Sequence, residues 1–415
     1  MRLSKRWAPA ALLLLVPLLG GTDATASPIP LPSQSRVPVE RSAEAVPGQY
    51  IVTLKPAFSS AGVLRQLGIK ALFTYETVLS GFAATLTPGQ LSQVRALPGI
   101  AAVEENGVVS VDPTLTASKP AAKPASKPAS KSASASRRAR VTPGSWGQDR
   151  IDQRYLPLDN DYDVTGTGKG VNAYIVDTGI ETGHSEFGGR ATVGVDTVND
   201  GRNGQDCNGH GTHVAGTTGG ATYGVARSSS LVAVRVLNCK GTGDWAGVIA
   251  GFDWVAKHAK KPAVLNASLG GPSSTAVNAA ANAVTAAGVL PVVAAGNDHK
   301  DACTASPAGA EQVIAVGATD IEDHEAEFSN YGKCLWTYAP GVAIVSAKLG
   351  GGSVALNGTS MASPHVAGVA ALYQEKHPDA GPKAVALWIA AQSTKYLVSS
   401  LSTGSPNRLL YADGL

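Results

Sequence analysis

Long apolar runs are nearly absent from this 415-residue chain, and this limits how it can meet a membrane. The main run, Ala10 to Leu19, is too short to span a bilayer comfortably, and no later stretch approaches the roughly 20 apolar residues of a spanning helix. Basic residues precede the run and Ala24-Thr25-Ala26 follows it, which is the pattern of a cleaved secretory signal at residues 1–26. No cysteine follows the run for lipid attachment. The sequence therefore predicts a soluble, secreted protein.

Charged residues are also few, at 16% of the chain, and they are unevenly distributed. Residues 1–140 contain 16 Lys and Arg against 7 Asp and Glu, so the formal charge of +3 leaves residues 141–415 with a net charge of −6. A mildly acidic main part argues against nucleic acid or an anionic membrane as a partner. It leaves acidic side chains available for cations.

Cysteine is limited to four residues. In an exported chain this number indicates disulfides rather than redox or metal chemistry. Four cysteines allow three pairings, and composition does not choose among them.

A biased segment divides the chain into two parts. Residues 113–141 repeat Lys-Pro-Ala units and end in an arginine cluster, which is typical of a disordered, semi-extended linker. Before it, strand-like segments at 50–54, 81–86 and 103–111 alternate with helical patterns, one of which starts with the capping box Thr87 to Gln90. This order predicts a small α+β (ferredoxin-like) domain at residues 27–112, with its core at 46–111.

Residues 142–415 alternate apolar strands with helices. Strands are expected at 170–176, 230–236, 262–267, 289–295 and 312–317, with crossover helices at 245–258 and 274–287. This alternation predicts an α/β domain whose mostly parallel sheet is covered by helices on both faces. Such sheets place their chemistry at the carboxyl ends of the strands.

Four polar residues stand at such positions. Asp177 and Asn297 end strands, and His210 and Ser360 precede helices of small residues. Each alone has a simple structural explanation, such as a turn cap or a satisfied core histidine. Together they suit nucleophilic catalysis, because a serine needs an imidazole base and the imidazole needs a carboxylate. Asn297 and the N–H groups at the helix mouth then suit an oxyanion.

The last of these helices contains a proline. In LNGTSMASPHVAGVAALY the helix is expected to start near Ser360, with Pro364 soon after. We expect Pro364 to be tolerated because early helical N–H groups have no intrahelical partner.

Three segments, YIVDTGIETGHSEFGGRA, GQDCNGHGTHVAGT and LNGTSMASPHVAGVAALY, resemble in this order the subtilisin superfamily of serine proteases, and within it the aqualysin-like members of the proteinase K branch. The likeness covers 143–412, and 46–111 more loosely resembles the inhibitor-type propeptides that chaperone these enzymes. The order Asp, His, Ser differs from that of α/β-hydrolases, whose Gly-x-Ser-x-Gly is absent because Ala362 follows Met361.

The resemblance implies a role for each of the four residues. Asp177 would be the orienting acid, His210 the general base and acid, Ser360 the nucleophile and Asn297 the oxyanion donor. His213 would be structural, and a zinc site at His210 and His213 is disfavoured because His-Glu-x-x-His is absent.

The resemblance also implies a substrate cleft in which two edges clamp an extended peptide as an added strand. The residues are Gly241, Gly243 and Trp245 on one edge, Ser268, Leu269 and Gly270 on the other, and Ala295 and Gly296 nearby. Pro272 and Ala305 depart from the usual glycine and tyrosine. Protein and peptide substrates cut after apolar or aromatic residues are expected, as are a monomeric enzyme and disulfides Cys207–Cys239 and Cys303–Cys334.

A structural calcium ion is a further implication. Asp149, Asp152, Gln153, Asp159 and Asp161 resemble a calcium loop of aqualysin-like enzymes, the alternative being a solvated acidic loop. Trp336 stands where relatives carry an aspartate ligand, so the other usual calcium site is expected to be lost.

Maturation is expected in two steps, with a first cut just beyond Val111 and trimming at Arg137 to Arg140. Two other function classes stay open. An inactive binding protein of this fold would normally lack one of the four residues, and an esterase is the third possibility.

Overall fold

The structure is a computed structural model that describes residues 36–111, 142–412 and 414–415. The predicted signal at 1–26 and the predicted linker at 113–141 lie outside the described residues. Within the described residues, no helix is both long enough and apolar enough to cross a membrane.

The amino-terminal module, residues 36–111, has the predicted α+β order. Its elements are β1 (Val39–Glu40), β2 (Ala45–Leu54), α1 (Ser60–Leu67), β3 (Ala71–Tyr75), β4 (Gly81–Thr85), α2 (Pro88–Ala96) and β5 (Ile100–Ser110). The sheet order is β1-β5-β2-β4-β3, with only β1 pairing in parallel. The predicted capping box is present, because Gln90 N donates to Thr87 Oγ1 at 3.2 Å and Thr87 N donates to Gln90 Oε1 at 3.0 Å.

The two faces of this sheet have different partners. Val52 and Phe82 pack with Val63 and Val94 of the two helices in the module's own core. Ile51, which points to the opposite face, belongs to the core of the larger domain. Because successive strand residues face opposite sides, the module covers one face with its own helices and lays the other on its neighbour.

The larger domain, within residues 142–415, is built on a nine-stranded sheet. In spatial order its strands are β18 (Thr394–Lys395), β19 (Arg408–Leu409), β15 (Leu335–Pro340), β14 (Ile314–Thr319), β12 (Leu290–Ala294), β10 (Ala263–Ala267), β6 (Asn172–Asp177), β8 (Ser230–Arg235) and β7 (Ala191–Asp196). All neighbours pair in parallel except β18 and β19.

Helices cover both faces, as predicted. They are α3 (Trp146–Asp152), α4 (His210–Gly219), α5 (Trp245–His258), α6 (Thr275–Ala286), α7 (Thr359–Lys376) and α8 (Pro382–Gln392). Val293 packs with α5 and α6 residues in one core, and its neighbour Val292 packs with α4 and α7 residues in the other. The central strands are buried on both sides, so they read as continuous apolar runs.

In the part of the larger domain that the structure describes, five short strands lie outside this sheet. They are β9 (Thr242–Asp244), β11 (Gly271–Pro272), β13 (Ala305–Ser306), β16 (Ile344–Ala347) and β17 (Ser353–Leu356). β9 pairs with β5 of the module, so one sheet crosses from the module to the larger domain.

Candidate active site

Asp177 and His210 meet where β6 ends and α4 begins. His210 Nδ1 lies 2.8 Å from Oδ1 and 2.9 Å from Oδ2 of Asp177, and both side chains are buried. Thr178 N also donates to Asp177 Oδ1 at 2.7 Å. With Nδ1 directed at the carboxylate, His210 Nε2 is the nitrogen that can accept a proton, and no described residue bonds to it.

Ser360 is the second residue of α7, whose N-cap is Gly358 with φ 143°. The Ser360 hydroxyl donates to the carbonyl of Ser268 at 3.2 Å. It is therefore hydrogen-bonded to the predicted substrate edge and not to His210 Nε2. The positive φ at Gly358 would be strained for any residue with a Cβ. A glycine is therefore required where the chain turns into the helix that carries the serine.

Pro364 has a different explanation from the one predicted. It is the sixth residue of α7, beyond the early N–H groups that lack an intrahelical partner, so that expectation is wrong. Its missing N–H deprives the Ser360 carbonyl of the usual donor four residues later. Ser268 Oγ donates to that oxygen at 2.9 Å and accepts from Asn266 Nδ2 at 2.8 Å. The proline thus frees the serine backbone to bond to the substrate edge.

Asn297 is fixed by Thr359, the residue before Ser360. Its Oδ1 accepts the Thr359 N–H at 2.8 Å and the Thr359 hydroxyl at 2.9 Å. Gly296 N in turn donates to Thr359 Oγ1 at 3.1 Å. With Oδ1 held in this way, Nδ2 is the atom left to donate toward the cavity that Asn297 and Ser360 both line.

The two predicted substrate edges hold the end of the chain's own module between them. The register of β5 with β9 pairs Val109 with Gly243, and Val111 N donates to Gly241 O at 2.9 Å. On the other side, Ser110 and Gly270 exchange N–H···O contacts of 3.4 and 3.5 Å. The tail 108–111 is therefore an added strand between both edges, which is how an extended peptide binds a sheet edge.

A cavity of about 490 Å³ lies beside this tail. Its lining includes the predicted Leu269, Gly270, Ala295, Gly296 and Ala305, together with Ser360 and Asn297. Sequence reasoning missed Thr304, Ser306 and Lys300 of the lining, and also Ala43 and Glu44, which come from the module.

Trp245 lies beneath the tail and is 1% exposed. A Cβ at Gly107, the β5 residue directly before the tail, would come within 2.8 Å of the Trp245 ring, so this position needs glycine.

Polar contacts hold the module on helices α5 and α6. Asn106 Oδ1 accepts the Ala246 N–H at 2.9 Å, and Glu104 Oε2 accepts the Ala276 N–H at 3.1 Å, both in the first turn of a helix. Burial raises the pKa of Glu104. In the other direction, Asp253 of α5 accepts backbone N–H groups of the module.

His213 and His365 are buried and have structural contacts. His213 Nε2 lies 3.1 Å from Ile344 O and 3.2 Å from Val354 O, and His365 Nδ1 lies 2.9 Å from Met361 O. Burial lowers the pKa of His213 to about 3 and that of His365 to about 4. Both rings are therefore neutral at ordinary pH.

The four cysteines form the disulfides Cys207–Cys239 and Cys303–Cys334, the pairs that the resemblance implied. The first joins the loop before His210 to the loop before Gly241. The second joins the cavity wall near Ala305 to the start of β15. Both bridges therefore tie loops of the candidate site to the fold.

The predicted calcium loop brings carboxylates together without closing a metal site. Asp149 accepts the backbone N–H groups of Asp159 and Asn160 at 3.3 and 2.8 Å, and Gln153 donates to the carbonyl of Pro157 at 3.0 Å. Burial, with neighbouring carboxylates, raises the pKa of Asp149 to about 6 and that of Asp152 to about 7. Within the described ranges, no group of three or more His, Cys, Asp or Glu side chains is placed to hold a metal.

Trp336 offers no oxygen at the position where the resemblance implies an aspartate ligand for another calcium ion. Its indole N–H donates to the carbonyl of Ala386 in α8 at 3.1 Å. The side chain at this position thus packs a helix onto β15.

The chain resembles known proteins over both of its parts. The subtilase family matches residues 168–410, and the peptidase inhibitor I9 family matches residues 59–112. The alkaline serine exoprotease A of Vibrio alginolyticus is 43% identical over 358 residues, which cover 86% of this chain and 63% of that protein. The extracellular serine proteinase of Thermus sp. (strain Rt41A) is 43% identical over 395 residues, which cover 89% and 90%. A solved cold adapted subtilisin-like serine proteinase has a TM-score of 0.63 at 48% identity, and the match covers 64% of this chain and 97% of that one.

The fold and these likenesses define a subtilisin-like serine peptidase preceded by an inhibitor-type propeptide. The chain belongs to the subtilase family.

Proposed function

We propose that this chain is the precursor of a secreted serine endopeptidase that hydrolyses proteins and peptides through an acyl-enzyme. The observation that carries the proposal is the tail 108–111, which lies as an added strand between the two edges beside Ser360. A peptide substrate would bind in the same manner once the propeptide leaves.

Each of the four residues then has one task. Ser360 Oγ attacks the peptide carbonyl carbon while His210 Nε2 takes its proton, and His210 later returns that proton to the leaving amine. Asp177 holds the imidazole by its Nδ1 and stabilises the imidazolium. Asn297 Nδ2 and the Ser360 N–H at the start of α7 stabilise the oxyanion of the tetrahedral intermediate. Ser360 must turn from Ser268 toward His210 for this step.

The cavity supports a preference for a large apolar or aromatic residue before the cleaved bond. Small residues such as Ala295, Gly296 and Ala305 form its wall on the larger domain, which leaves room for a large side chain. Ala305 leaves more room than the tyrosine usual in relatives. We therefore expect broad specificity with a wide primary pocket.

Self-processing follows from the position of the tail. Residues 27–112 would act as chaperone and inhibitor, 113–141 as linker and 142–415 as the catalytic domain. The docked tail supports a first cut just beyond Val111, with later trimming at Arg137 to Arg140. Residues 1–26 would direct secretion.

A structural calcium ion at Asp149, Asp152, Gln153, Asp159 and Asp161 is part of the proposal. The raised pKa values of Asp149 and Asp152 support it, because a cation would offset the burial of these carboxylates and their repulsion. The ion would stabilise the loop and take no part in the reaction.

Casein and a short-acyl ester, tested side by side with purified mature protein, separate the three function classes. A peptidase digests casein, and a fluorophosphonate that labels Ser360 abolishes the digestion. Hydrolysis of the ester alone would indicate an esterase. Failure to turn over either substrate or to take the label would indicate an inactive binding protein and overturn the proposal.

A further inference from the structure

A buried carboxylate lies four residues before His210 in the sequence. Asp206 is in the loop that leads into α4, and it is only 7% exposed. Its Oδ1 accepts hydrogen bonds from Thr178 Oγ1, Asn208 N and Gly209 N, each at 2.9 Å. Its Oδ2 accepts from Thr212 N at 2.9 Å and from Thr212 Oγ1 at 2.6 Å. Burying a carboxylate is costly unless it is hydrogen-bonded, so the loop is built around this side chain.

Asp206 supplies one of the three side-chain caps at the start of α4, where Asn208 Oδ1 accepts the His210 N–H at 3.2 Å and Thr178 Oγ1 accepts the Gly211 N–H at 2.9 Å. The N-cap position is Gly209, with φ 105°, which has no side chain to cap the helix. Asp206 Oδ2 instead accepts the N–H of Thr212, the third helical residue. His210 is the first residue of this helix. The carboxylate therefore fixes the helix end that carries the imidazole, and the helix dipole stabilises its charge.

Thr178 connects the same carboxylate to Asp177. Its Oγ1 donates to Asp206 and accepts the Gly211 N–H at 2.9 Å, while its own N–H donates to Asp177. The approach is tight, because a Cβ at Gly211 would lie 2.1 Å from the carbonyl oxygen of Gly179. One hydroxyl and one carboxylate thus join the strand end that holds Asp177 to the helix start that holds His210.

We propose that Asp206, acting through Thr178, is a positioning residue that holds His210 against Asp177 during catalysis. This inference rests on the proposed function. The Asp206 carboxylate and the Thr178 hydroxyl bond only to Asn208, Gly209, Gly211, Thr212 and each other among the described residues, and not to the substrate edges in β9 and residues 268–270. A displacement of about 1 Å caused by a distant change can cost on the order of 10²-fold in rate. The loss should therefore appear in kcat and leave KM unchanged.

The test uses two isosteric variants and two controls. Thr178→Val keeps the shape of the side chain and removes the link. Asp206→Asn keeps the shape but has one acceptor oxygen where the carboxylate has two, so it cannot accept from both Thr178 and Thr212. Thr178→Ser retains the hydroxyl. Thr218→Val removes another buried hydroxyl of α4, which donates to Val214 O at 3.1 Å within the helix. For each, kcat and KM are measured on a chromogenic peptide, together with the rate of precursor self-processing.

We expect kcat to fall about tenfold for Thr178→Val and on the order of 10²-fold for Asp206→Asn, with KM unchanged. Self-processing should slow in parallel. Thr178→Ser and Thr218→Val should keep the wild-type kcat. Wild-type kcat in Thr178→Val, or an equal loss in Thr218→Val, would overturn the proposal. Should Asp206→Asn fail to fold by circular dichroism, Thr178→Val carries the test.

A spectroscopic measurement separates this inference from the proposed function. The proton between His210 and Asp177 gives a far-downfield ¹H NMR signal that depends on their alignment. Thr178→Val should shift or broaden the signal, and Thr218→Val should leave it in place. If wild-type protein does not cleave peptides, the proposed function fails, yet this measurement still decides the positioning role. An identical signal in Thr178→Val would refute that role.

Discussion

Asp253 Oδ1 lies 2.7 Å from the backbone nitrogen of Thr77 and also accepts the N–H groups of Glu76 and Val78, at 3.1 and 3.0 Å. One carboxylate of the catalytic domain thus satisfies three backbone donors of the propeptide. Removing it leaves the exposed donors of Glu76 and Thr77 to water and takes the partner from the buried residue Val78.

We expect Asp253→Ala to weaken inhibition by the separated propeptide about fivefold, or about 1 kcal/mol, because most of these contacts are open to solvent. The measurement is the inhibition constant of purified propeptide against mature enzyme. Glu327→Ala, which removes an exposed carboxylate, is the matched control and should not change this constant. Equal inhibition constants for wild type and Asp253→Ala would show that the contact contributes nothing.

Ser360→Ala should abolish proteolysis and leave the precursor intact. The kcat loss is on the order of 10⁶, the value known for removing the nucleophile of subtilisin itself. Folded, full-length protein should accumulate in a protease-deficient host and be detected by mass spectrometry. A processed, casein-digesting Ser360→Ala protein would contradict the assignment of the nucleophile.

Calcium should stabilise the enzyme in a pH-dependent manner. The folded-state pKa values of Asp149 and Asp152, about 6 and about 7, exceed the ordinary value of 3.8. Without calcium, the folded protein holds protons that the unfolded chain has released between about pH 4 and 7, so the free energy of unfolding falls as pH rises through that window. Calcium binds the deprotonated carboxylates. The calcium-induced rise in Tm should therefore be larger at about pH 8 than at about pH 5.

Thermal melts with calcium and with chelator check this expectation. Asp149→Ala/Asp152→Ala should lose the calcium shift, and Trp336→Asp, the control for the other site, should gain calcium affinity. A full calcium shift in the double variant would place the ion elsewhere.

Replacing Cys303 and Cys334 with serine should lower the free energy of unfolding by about 3–4 kcal/mol, according to the chain-entropy model for a loop of this size. The sequence separation of the bridge is 31 residues. Denaturant unfolding of wild type and variant measures the difference. In the variant, a reductant can break only Cys207–Cys239. A free energy of unfolding equal to that of wild type would contradict the expectation.

The sequence predicted the elements whose signals are local. The helix 245–258 was expected with the bounds that the structure has, because its apolar periodicity starts directly after Asp244, whose side chain caps it. The strands ending at Asp177 and before Asn297 were predicted because buried apolar runs end there in polar residues. The disulfide partners needed a resemblance, since composition allowed three pairings.

Features that depend on distant residues were missed. β7 was not predicted. It is only partly buried, so its sequence lacks the continuous apolar run of the central strands, although it pairs with β8 in the fold. Pro364 could not be explained without Ser268, which lies 96 residues earlier in the sequence and satisfies the carbonyl that the proline leaves free. The role of Asp206 could not be predicted, because the sequence places it in a loop and only the fold brings Thr178 and Thr212 to its carboxylate.

Because the tail 108–111 is docked in the cleft, inhibition by it should depend on protein concentration only after the chain is cut. While the chain is continuous, the tail meets the cleft as part of the same molecule, at an effective concentration of the order of millimolar, and dilution cannot relieve the block. Once the connection is cut, the same contacts must hold a complex of two molecules. The fraction of enzyme with propeptide bound then falls as the solution is diluted. Dilution would itself favour release, so a cut enzyme would be inhibited where it is concentrated and active where it is dilute.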